Sequence, residues 1–392
     1  MYNKCGEKMD ILESGKAILK TIEAASFEAF LVGGAVRDFV LGLDVQDVDI
    51  TTSATPDDIT RLFPKAIPTG KAFGTMTLIK DGHTFEITTY RQDGTYINHR
   101  KPESIKFSKD VEEDLKRRDF TINALLMNAS GKVIDLLGGF NDLDAGLIRT
   151  IGDPAERFNE DALRLLRAFR FHAKLGFHIE EHTLNAIQKN GSLIQKVSIE
   201  RIQSEAEKML SYPVLKPTIQ LMLDTKFANA LFNIQPGLEA LLNYPELTKV
   251  ERLYVLSNHV DFTQAPWRLS KKTLKKLTHF KELYKALDTP HPRIFLQYDR
   301  ELIYDVAHFL EKTEQPRKIK TIEAIENALV IKQSKDLDVS GKELDTQFHF
   351  SDKSMIKKTL NVLIDAVLEG RVDNHKPSLL NYAAKSLERS AE

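Results

Sequence analysis

Beyond Asp153-Pro154 the sequence becomes one helical segment after another, and nothing before that point reads the same way. Residues 160–174, 181–190, 199–211 and 215–225 place apolar side chains at helical spacing, joined by short polar connections. Pro266, Pro290, Pro292 and Pro316 punctuate the later part of this pattern. The first 150 residues are mixed in character. Strands gathered at one end of a chain and helices at the other mark an α+β protein. The expectation is a small mixed-sheet head followed by an elongated all-helical remainder. A chain of 392 residues has room for roughly two to four domains.

Within the head, residues 9–24 carry helical periodicity through Ile11, Leu12, Ile18, Leu19 and Ile22. Phe30-Leu31-Val32 predicts a short strand ending at Gly33-Gly34, with a short helix beginning near Ala35. Asp47-Val48-Asp49-Ile50 predicts a second strand. Ser53 to Asp58 has the chemistry of a helix start, with Pro56 near the first helical position. Met76 to Lys80 and His83 to Thr89 flank Asp81-Gly82, a pair that favours a two-residue hairpin. Val133-Ile134-Asp135 is a further strand candidate.

Charge and cysteine content exclude several classes. Lys+Arg 55 nearly cancels Asp+Glu 56, so the protein is not globally basic and any nucleic-acid surface must be a local patch. The single cysteine, Cys5, excludes intramolecular disulfides and multi-cysteine zinc sites. No run approaches the roughly 18 apolar residues of a membrane span, and the first seven residues lack the apolar core of a signal peptide. These features lead us to expect a cytoplasmic protein without a membrane partner.

Asp47 and Asp49 lie two apart on a predicted strand, so both side chains share one face. Two neighbouring carboxylates repel unless a cation lies between them. Oxygen-only ligands suit Mg²⁺, which completes its shell with water and substrate phosphates. A lone Asp-x-Asp is equally the solvated end of a strand. Gly33-Gly34 would let backbone N–H groups approach a triphosphate, with Arg37 in reach of the same phosphates, although a plain tight turn has the same glycines. Phe85 and Ile87 take the apolar face of their strand, so Glu86 points to the other side. There it is either a third carboxylate of a two-metal site or a surface residue.

In combination these residues resemble a family. Leu31-Val32-Gly33-Gly34-Ala35-Val36-Arg37-Asp38, Leu41-Gly42 and Asp47-Val48-Asp49-Ile50-Thr51-Thr52 resemble the first motif of the CCA-adding enzymes, tRNA nucleotidyltransferases of the bacterial-eukaryotic type in the polymerase-beta-like superfamily. Arg117-Arg118-Asp119-Phe120-Thr121-Ile122-Asn123-Ala124-Leu125 resembles the second motif, and Asp135-Leu136-Leu137-Gly138-Gly139 through Ile148-Arg149 the third. Glu160-Asp161-Ala162-Leu163-Arg164-Leu165-Leu166-Arg167-Ala168-Phe169-Arg170 resembles the fourth, and Ser198-Ile199-Glu200-Arg201 with Glu205 the fifth. Residues 337–374 resemble the family's tail, with Phe350-Ser351-Asp352-Lys353-Ser354 in place of a Gly-Pro-rich turn.

The resemblance implies a nucleotidyltransferase head over 1–152, a nucleotide-recognising neck over 153–211, a tRNA-binding body over 212–335 and a tail over 336–392. It implies template-free addition of C, C and A to the tRNA 3′ end from CTP and ATP. Asp47 and Asp49 would hold Mg²⁺, and Glu86 would act as general base or metal ligand on the attacking side. Gly33, Gly34, Arg37 and Arg118 would bind the triphosphate or nearby groups, while Asp119 and Asn123 support the ribose. Asp161 and Arg164 would read the base, with Arg167 and Arg170 beside them.

Base chemistry agrees with that pair. Ionised Asp161 only accepts hydrogen bonds and Arg164 only donates. Cytosine and adenine each present an amino donor beside a ring-nitrogen acceptor, whereas uracil and guanine present a carbonyl and an N–H. The alternative for the pair is an i,i+3 salt bridge on a solvated face. On a continuous helix from Glu160, Asp161, Arg164 and Arg167 share one arc of about 120°, while Arg170 falls about 180° from Asp161. Asp93 to Pro102 resembles the flexible loop of full CCA-adding members, with Asn98 where an acid is expected.

For RNA contact, Trp267 to Lys276 is the clearest basic stretch. Lys271, Lys272, Lys275 and Lys276 would line a phosphate-binding side, with Arg317, Lys318 and Lys320 adding to it. Oligomeric state stays open, a homodimer included. Competing readings are a bacterial poly(A) polymerase, a partial CC- or A-adding enzyme, and a non-catalytic RNA-binding helical protein. Against the first, Gly70-Lys71-Ala72-Phe73-Gly74 stands where those enzymes show a Gly-Arg-Arg-Phe-Arg segment.

Overall fold

The computed structural model describes residues 10–94, 96–97, 101–102, 104–244, 246–263, 267, 269–313 and 317–389. Cys5, Pro266, Arg268 and Pro316 lie outside the described residues, as do Thr95, Asn98, His99 and Arg100 of the expected loop. The chain divides into two compact units, Met1–Glu239 and Ala240–Glu392.

The first unit opens with α1 (Ile11–Ala24), started by the Asp10 side chain, which accepts from the Leu12 N–H. Next come β1 (Ala29–Val32), α2 (Gly34–Val40), β2 (Val48–Thr52) and α3 (Pro56–Leu62). The start of α3 follows its sequence: Thr55 and Asp58 cap each other's backbone N–H groups, and Pro56 fills the first turn. Then follow β3 (Ile67–Gly70), β4 (Thr75–Lys80), β5 (His83–Thr89), β6 (Arg91–Asp93), β7 (Tyr96–Ile97), β8 (Lys101–Pro102), β9 (Ile105–Phe107), α4 (Val111–Lys116), β10 (Leu126–Met127) and β11 (Val133–Ile134). Asp81 and Gly82 both take positive φ, 52° and 78°, as the β4–β5 hairpin requires.

Seven strands form one sheet in the order β11-β10-β1-β2-β5-β4-β3. Only the central β2–β5 pair is parallel. Its register sets Asp49 directly beside Glu86. Alternation sends Val48, Ile50, Phe85 and Ile87 into the core and leaves Asp49 and Glu86 on the solvent face. Gly15 lets α1 lie close on the apolar face, because a Cβ there would stand 3.1 Å from Leu31 and 3.3 Å from Val48.

The helical part of this unit comprises α5 (Gly139–Asp144), β12 (Leu147–Ile148), α6 (Pro154–Glu160), α7 (Leu163–Leu175), β13 (His178–Ile179), α8 (Glu181–Asn190), α9 (Ile199–Met209) and α10 (Leu215–Asp224), and the division falls within α11 (Gln235–Leu242). Leu165, Leu166 and Phe169 of α7 are buried, and Phe169 stacks on Phe227 at 4.9 Å. Two expectations need correction. The strand begins at Val48, so Asp47 precedes it. Residues 160–174 are not one helix, because Asp161 is extended (φ −137°, ψ 99°) between α6 and α7. Its carboxylate accepts from the Leu163 N–H at 3.1 Å, a local bond that competes with helix hydrogen bonding.

The second unit carries α12 (Lys249–Leu256), α13 (Lys271–Ala286), α14 (Ile294–Gln297), α15 (Arg300–Thr313), α16 (Lys318–Asn327), α17 (Gly341–Phe348), α18 (Ser354–Leu368) and α19 (Lys376–Arg389). Tyr254, Phe280, Tyr284 and Phe309 form an aromatic cluster among α12, α13 and α15. A second core joins Leu344, Leu363, Val367, Leu379 and Ala383, with Phe350 packed against it.

Candidate active site

A cleft of about 460 Å³ opens on the solvent face of the sheet beside α7. Its lining brings together Gly33, Gly34, Arg37, Asp47, Asp49, Arg118, Asp119, Asn123, Arg167 and Arg170. Glu86 is Asp49's neighbour across β2 and β5 but is not in that lining, nor are Asp161 and Arg164.

Gly33 links β1 to α2 at φ 79° and ψ −135°, a conformation essentially confined to glycine. A Cβ there would lie 3.7 Å from Arg118 Nη1 and 3.9 Å from Asp49 Oδ2. Both are ordinary contact distances, so it is the positive φ rather than want of space that calls for glycine here. Asp49 faces solvent, yet the cleft walls surround it. Burial among those walls raises its pKa, Arg118 opposes the rise, and the Glu86 and Asp47 charges add to it. A cation placed there would relieve that crowding.

Two buried carboxylates organise the arginines. Asp114 accepts from Arg117 Nε at 2.8 Å, from Arg118 at 3.0 Å and from the Thr51 hydroxyl at 3.0 Å. Asp119 Oδ1 accepts from the Phe120 N–H at 2.8 Å and Asn123 Nδ2 at 3.0 Å, while Oδ2 accepts from Arg167 Nε at 2.7 Å. Burial disfavours its charge, but Arg167 and these donors outweigh burial and hold the carboxyl well below the usual range. Arg37 is buried, bonds Asp38 through Nε at 2.9 Å and also donates to Asn123 Oδ1. Lys174 reaches the other Asp38 oxygen at 2.7 Å.

The break before α7 changes the geometry expected from a continuous helix. Arg170 stands beside Arg167 in the cleft, as i,i+3 neighbours within α7 must, and the 180° separation from Asp161 does not apply because the helical wheel does not run through residue 161. Asp161 is engaged by Arg201 of α9 through two bonds, at 3.1 and 2.8 Å. The Arg164 guanidinium does not bond the Asp161 carboxylate, although its backbone N–H donates to the Asp161 carbonyl at 3.0 Å. It donates to Glu160 at 2.8 Å and to the Arg157 and Arg117 carbonyls at 3.0 and 2.6 Å. A guanidinium has five N–H donors and a carboxylate about four acceptor positions, so both groups retain capacity for a ligand.

The sequence reading missed Asp38, Asp114, Lys174, Lys208, Tyr212 and Phe171. Asp114 had a local signal, since it precedes Arg117 and Arg118 by three and four positions. Lys174 had none, because its partner lies 136 residues away. In the second unit, Lys271, Lys272, Lys275 and Lys276 are exposed along α13, while Leu277, Phe280 and Leu283 face inward. Lys276 also stands 3.7 Å from Asp305.

Residues 29–149 match a poly A polymerase head domain, 176–242 the "Probable RNA and SrmB-binding site of polymerase A", and 253–383 a tRNA nucleotidyltransferase domain 2. The chain is 35% identical over 390 residues to the CCA-adding enzyme of Lactobacillus helveticus, covering 95% of this chain and 97% of that one. It therefore belongs to the CCA-adding enzyme family. The Bacillus subtilis CCA-adding enzyme is 35% identical over 378 residues, covering 92% and 94% of the two chains. Among solved structures, the Bacillus stearothermophilus CCA-adding enzyme in complex with CTP superposes with TM-score 0.80 at 29% identity, covering 97% and 98%. The Thermotoga maritima enzyme complexed with tRNA shares the fold at TM-score 0.61 and 22% identity, covering 97% of each chain. The expected α+β nucleotidyltransferase architecture is thus the observed one. No helix among the described residues is long and apolar enough to cross a membrane.

Proposed function

We propose that this chain adds and repairs the 3′-terminal CCA of tRNA without a template, from CTP and ATP, in the cytoplasm. The observation that carries this reading is Asp49, paired in register with Glu86 and joined by Asp47, the glycine turn and four arginines in the lining of one cleft. The donor set is all oxygen, which fits Mg²⁺. Among the described residues no three His, Cys, Asp or Glu side chains meet closely enough to hold a metal alone. Asp47 and Asp49 would hold the ion jointly with water and nucleotide phosphates. When bound, Mg²⁺ supplies acidification of the attacking hydroxyl and charge neutralisation on the triphosphate.

The protein's own groups would divide the remaining work. The Gly33-Gly34 turn admits the triphosphate against the backbone, and Arg37, Arg118, Arg167 and Arg170 bind its charge. Asp119 and Asn123 hold the arginines in place and support the ribose. The Glu86 carboxylate takes the proton of the tRNA 3′-hydroxyl as its oxygen bonds to the α-phosphorus. The bond from that phosphorus to the bridging oxygen breaks, and pyrophosphate leaves on the arginine side. Asp161 accepts from the amino group of C or A while Arg164 donates to the adjacent ring nitrogen. Wrong bases then leave buried polar groups unpaired. The same reading assigns a catalytic head (1–152), a nucleotide-recognising neck (153–211), and a body (212–335) and tail (336–392) that hold tRNA, α13 contributing its lysines.

The match of residues 29–149 to a poly A polymerase head favours one alternative, a poly(A) polymerase. The purified chain, labelled CTP or ATP, Mg²⁺ and tRNA lacking its CCA separate the two. Mixed nucleotides should extend the RNA by C, C and A and then stop. A continuing A tail from ATP alone would establish the alternative, and no incorporation would refute both.

A further inference from the structure

The most apolar group lining the cleft, Phe171, sits among its most charged ones. The Arg170 guanidinium carbon lies 4.1 Å from the ring centroid, that of Arg37 5.0 Å and that of Arg167 5.4 Å. Arg37 comes from α2 and the other two from α7, so one ring joins two elements. Like charges resist such gathering, and the Arg170 charge acts against that of Arg37. Carboxylates offset part of the repulsion: Asp38 pairs with Arg37 at 2.7 Å, Asp119 with Arg167 at 2.5 Å and Glu205 with Arg170 at 2.5 Å. Each guanidinium therefore has a carboxylate partner as well as the ring. Lys174 and Lys208 also line the cleft and keep it cationic.

The plain alternative is that Phe171 only fills volume. It is 3% exposed and meets Phe120 edge-on at 5.7 Å. An aliphatic side chain could fill that space, but it could not attract three cations. The face of a phenyl ring carries negative potential, and a desolvated site strengthens its hold on a guanidinium.

We propose that Phe171 is a positioning residue for the nucleotide's polyphosphate. Its ring keeps the Arg37, Arg167 and Arg170 guanidiniums assembled before the nucleotide arrives, so binding need not order three long side chains. This rests on the reading of the cleft as a nucleoside triphosphate site.

The test uses the full chain with Phe171 replaced by mono-, di- and trifluorinated phenylalanine, which drains the ring's negative face while nearly preserving its shape. Equilibrium binding of CTP and CMP is measured for each variant. CTP affinity should fall stepwise with fluorine number, by about tenfold or more in total. CMP affinity should change less than about twofold, because it lacks the outer phosphates. Phe171→Tyr should bind CTP nearly as the unmodified chain does, and Phe171→Leu, where it folds, as weakly as the trifluoro variant. A flat fluorination series overturns the proposal, and so does a parallel loss for CTP and CMP. Absence of CTP and ATP binding by the unmodified chain would instead refute the nucleotide-site reading itself, and the proposal with it.

Discussion

Replacing Asp119 with Asn tests how the cleft is held together. The substitution preserves shape and leaves Oδ1 to accept from the Phe120 N–H and Asn123. On the other side it sets an NH₂ against the two Arg167 N–H groups that now bond Oδ2. What is lost is a two-pronged charge-assisted contact, worth about 1.5–3 kcal/mol. Breaking a fully buried ion pair costs about 3–5 kcal/mol. The Arg167 side chain is 30% exposed, however, so the lower range applies. A loss of about 1.5–3 kcal/mol in a unit of this size lowers Tm by roughly 3–12 °C. Calorimetry on the Asn variant and the parent should show this in the transition of the first unit.

The pH dependence has a definite sign. Asp119's folded pKa is depressed, so its contribution is complete above the unfolded carboxyl value, near 3.9, and is lost as pH falls through the folded value. The gap between parent and variant should stay constant from neutral pH to about pH 5 and narrow below about pH 4. Equal Tm values at neutral pH, or a gap that widens in acid, would refute the assignment of Asp119 as the anchor of Arg167.

Four other outcomes follow from the geometry. Asp49→Asn should abolish incorporation of both CTP and ATP, yet slightly raise Tm without metal, because burial and two neighbouring carboxylates disfavour the charge at this position; near-normal turnover by a folded variant would end the metal-ligand assignment. Asp161→Ala should shrink discrimination against UTP and GTP by about one to two orders of magnitude under single-turnover conditions. Arg201→Leu should reproduce much of that loss, since it frees the carboxylate it now grips; an equal slowing of all four nucleotides by Asp161→Ala would make that residue structural. Changing Lys271, Lys272, Lys275 and Lys276 to Gln should weaken tRNA binding and flatten its salt dependence without altering CTP binding, whereas an unchanged salt slope would mean the exposed face of α13 only meets solvent.

Local chemistry is what the amino-acid sequence by itself determined. Turn formation at Asp81-Gly82, the start of α3 at Thr55-Pro56 and the glycine bend at Gly33 depend on residues a few positions apart, so their physics is written in short segments. Strand alternation likewise sufficed to set Glu86 against its apolar neighbours Phe85 and Ile87, and helical spacing located α8 at residues 181–190. Arg37 and Arg118 have partners within four residues, Asp38 and Asp114, but other cations of the site do not. Arg167 finds Asp119 across 48 residues, Lys174 finds Asp38 across 136, and Arg201 finds Asp161 across 40. Charged residues are numerous, and periodicity assigns each a face without saying which opposite charge will meet it. Only packing of α7 and the Asp161 segment before it against α2, α9 and the segment carrying Asp119 selects those pairs. That packing also accompanies the break at Asp161, where a bond to the Leu163 N–H and an ion pair with Arg201 replace helical continuity. Apolar spacing runs unbroken through that point, and the long-range partner that joins the local bond in holding the break becomes visible only when the chain is folded.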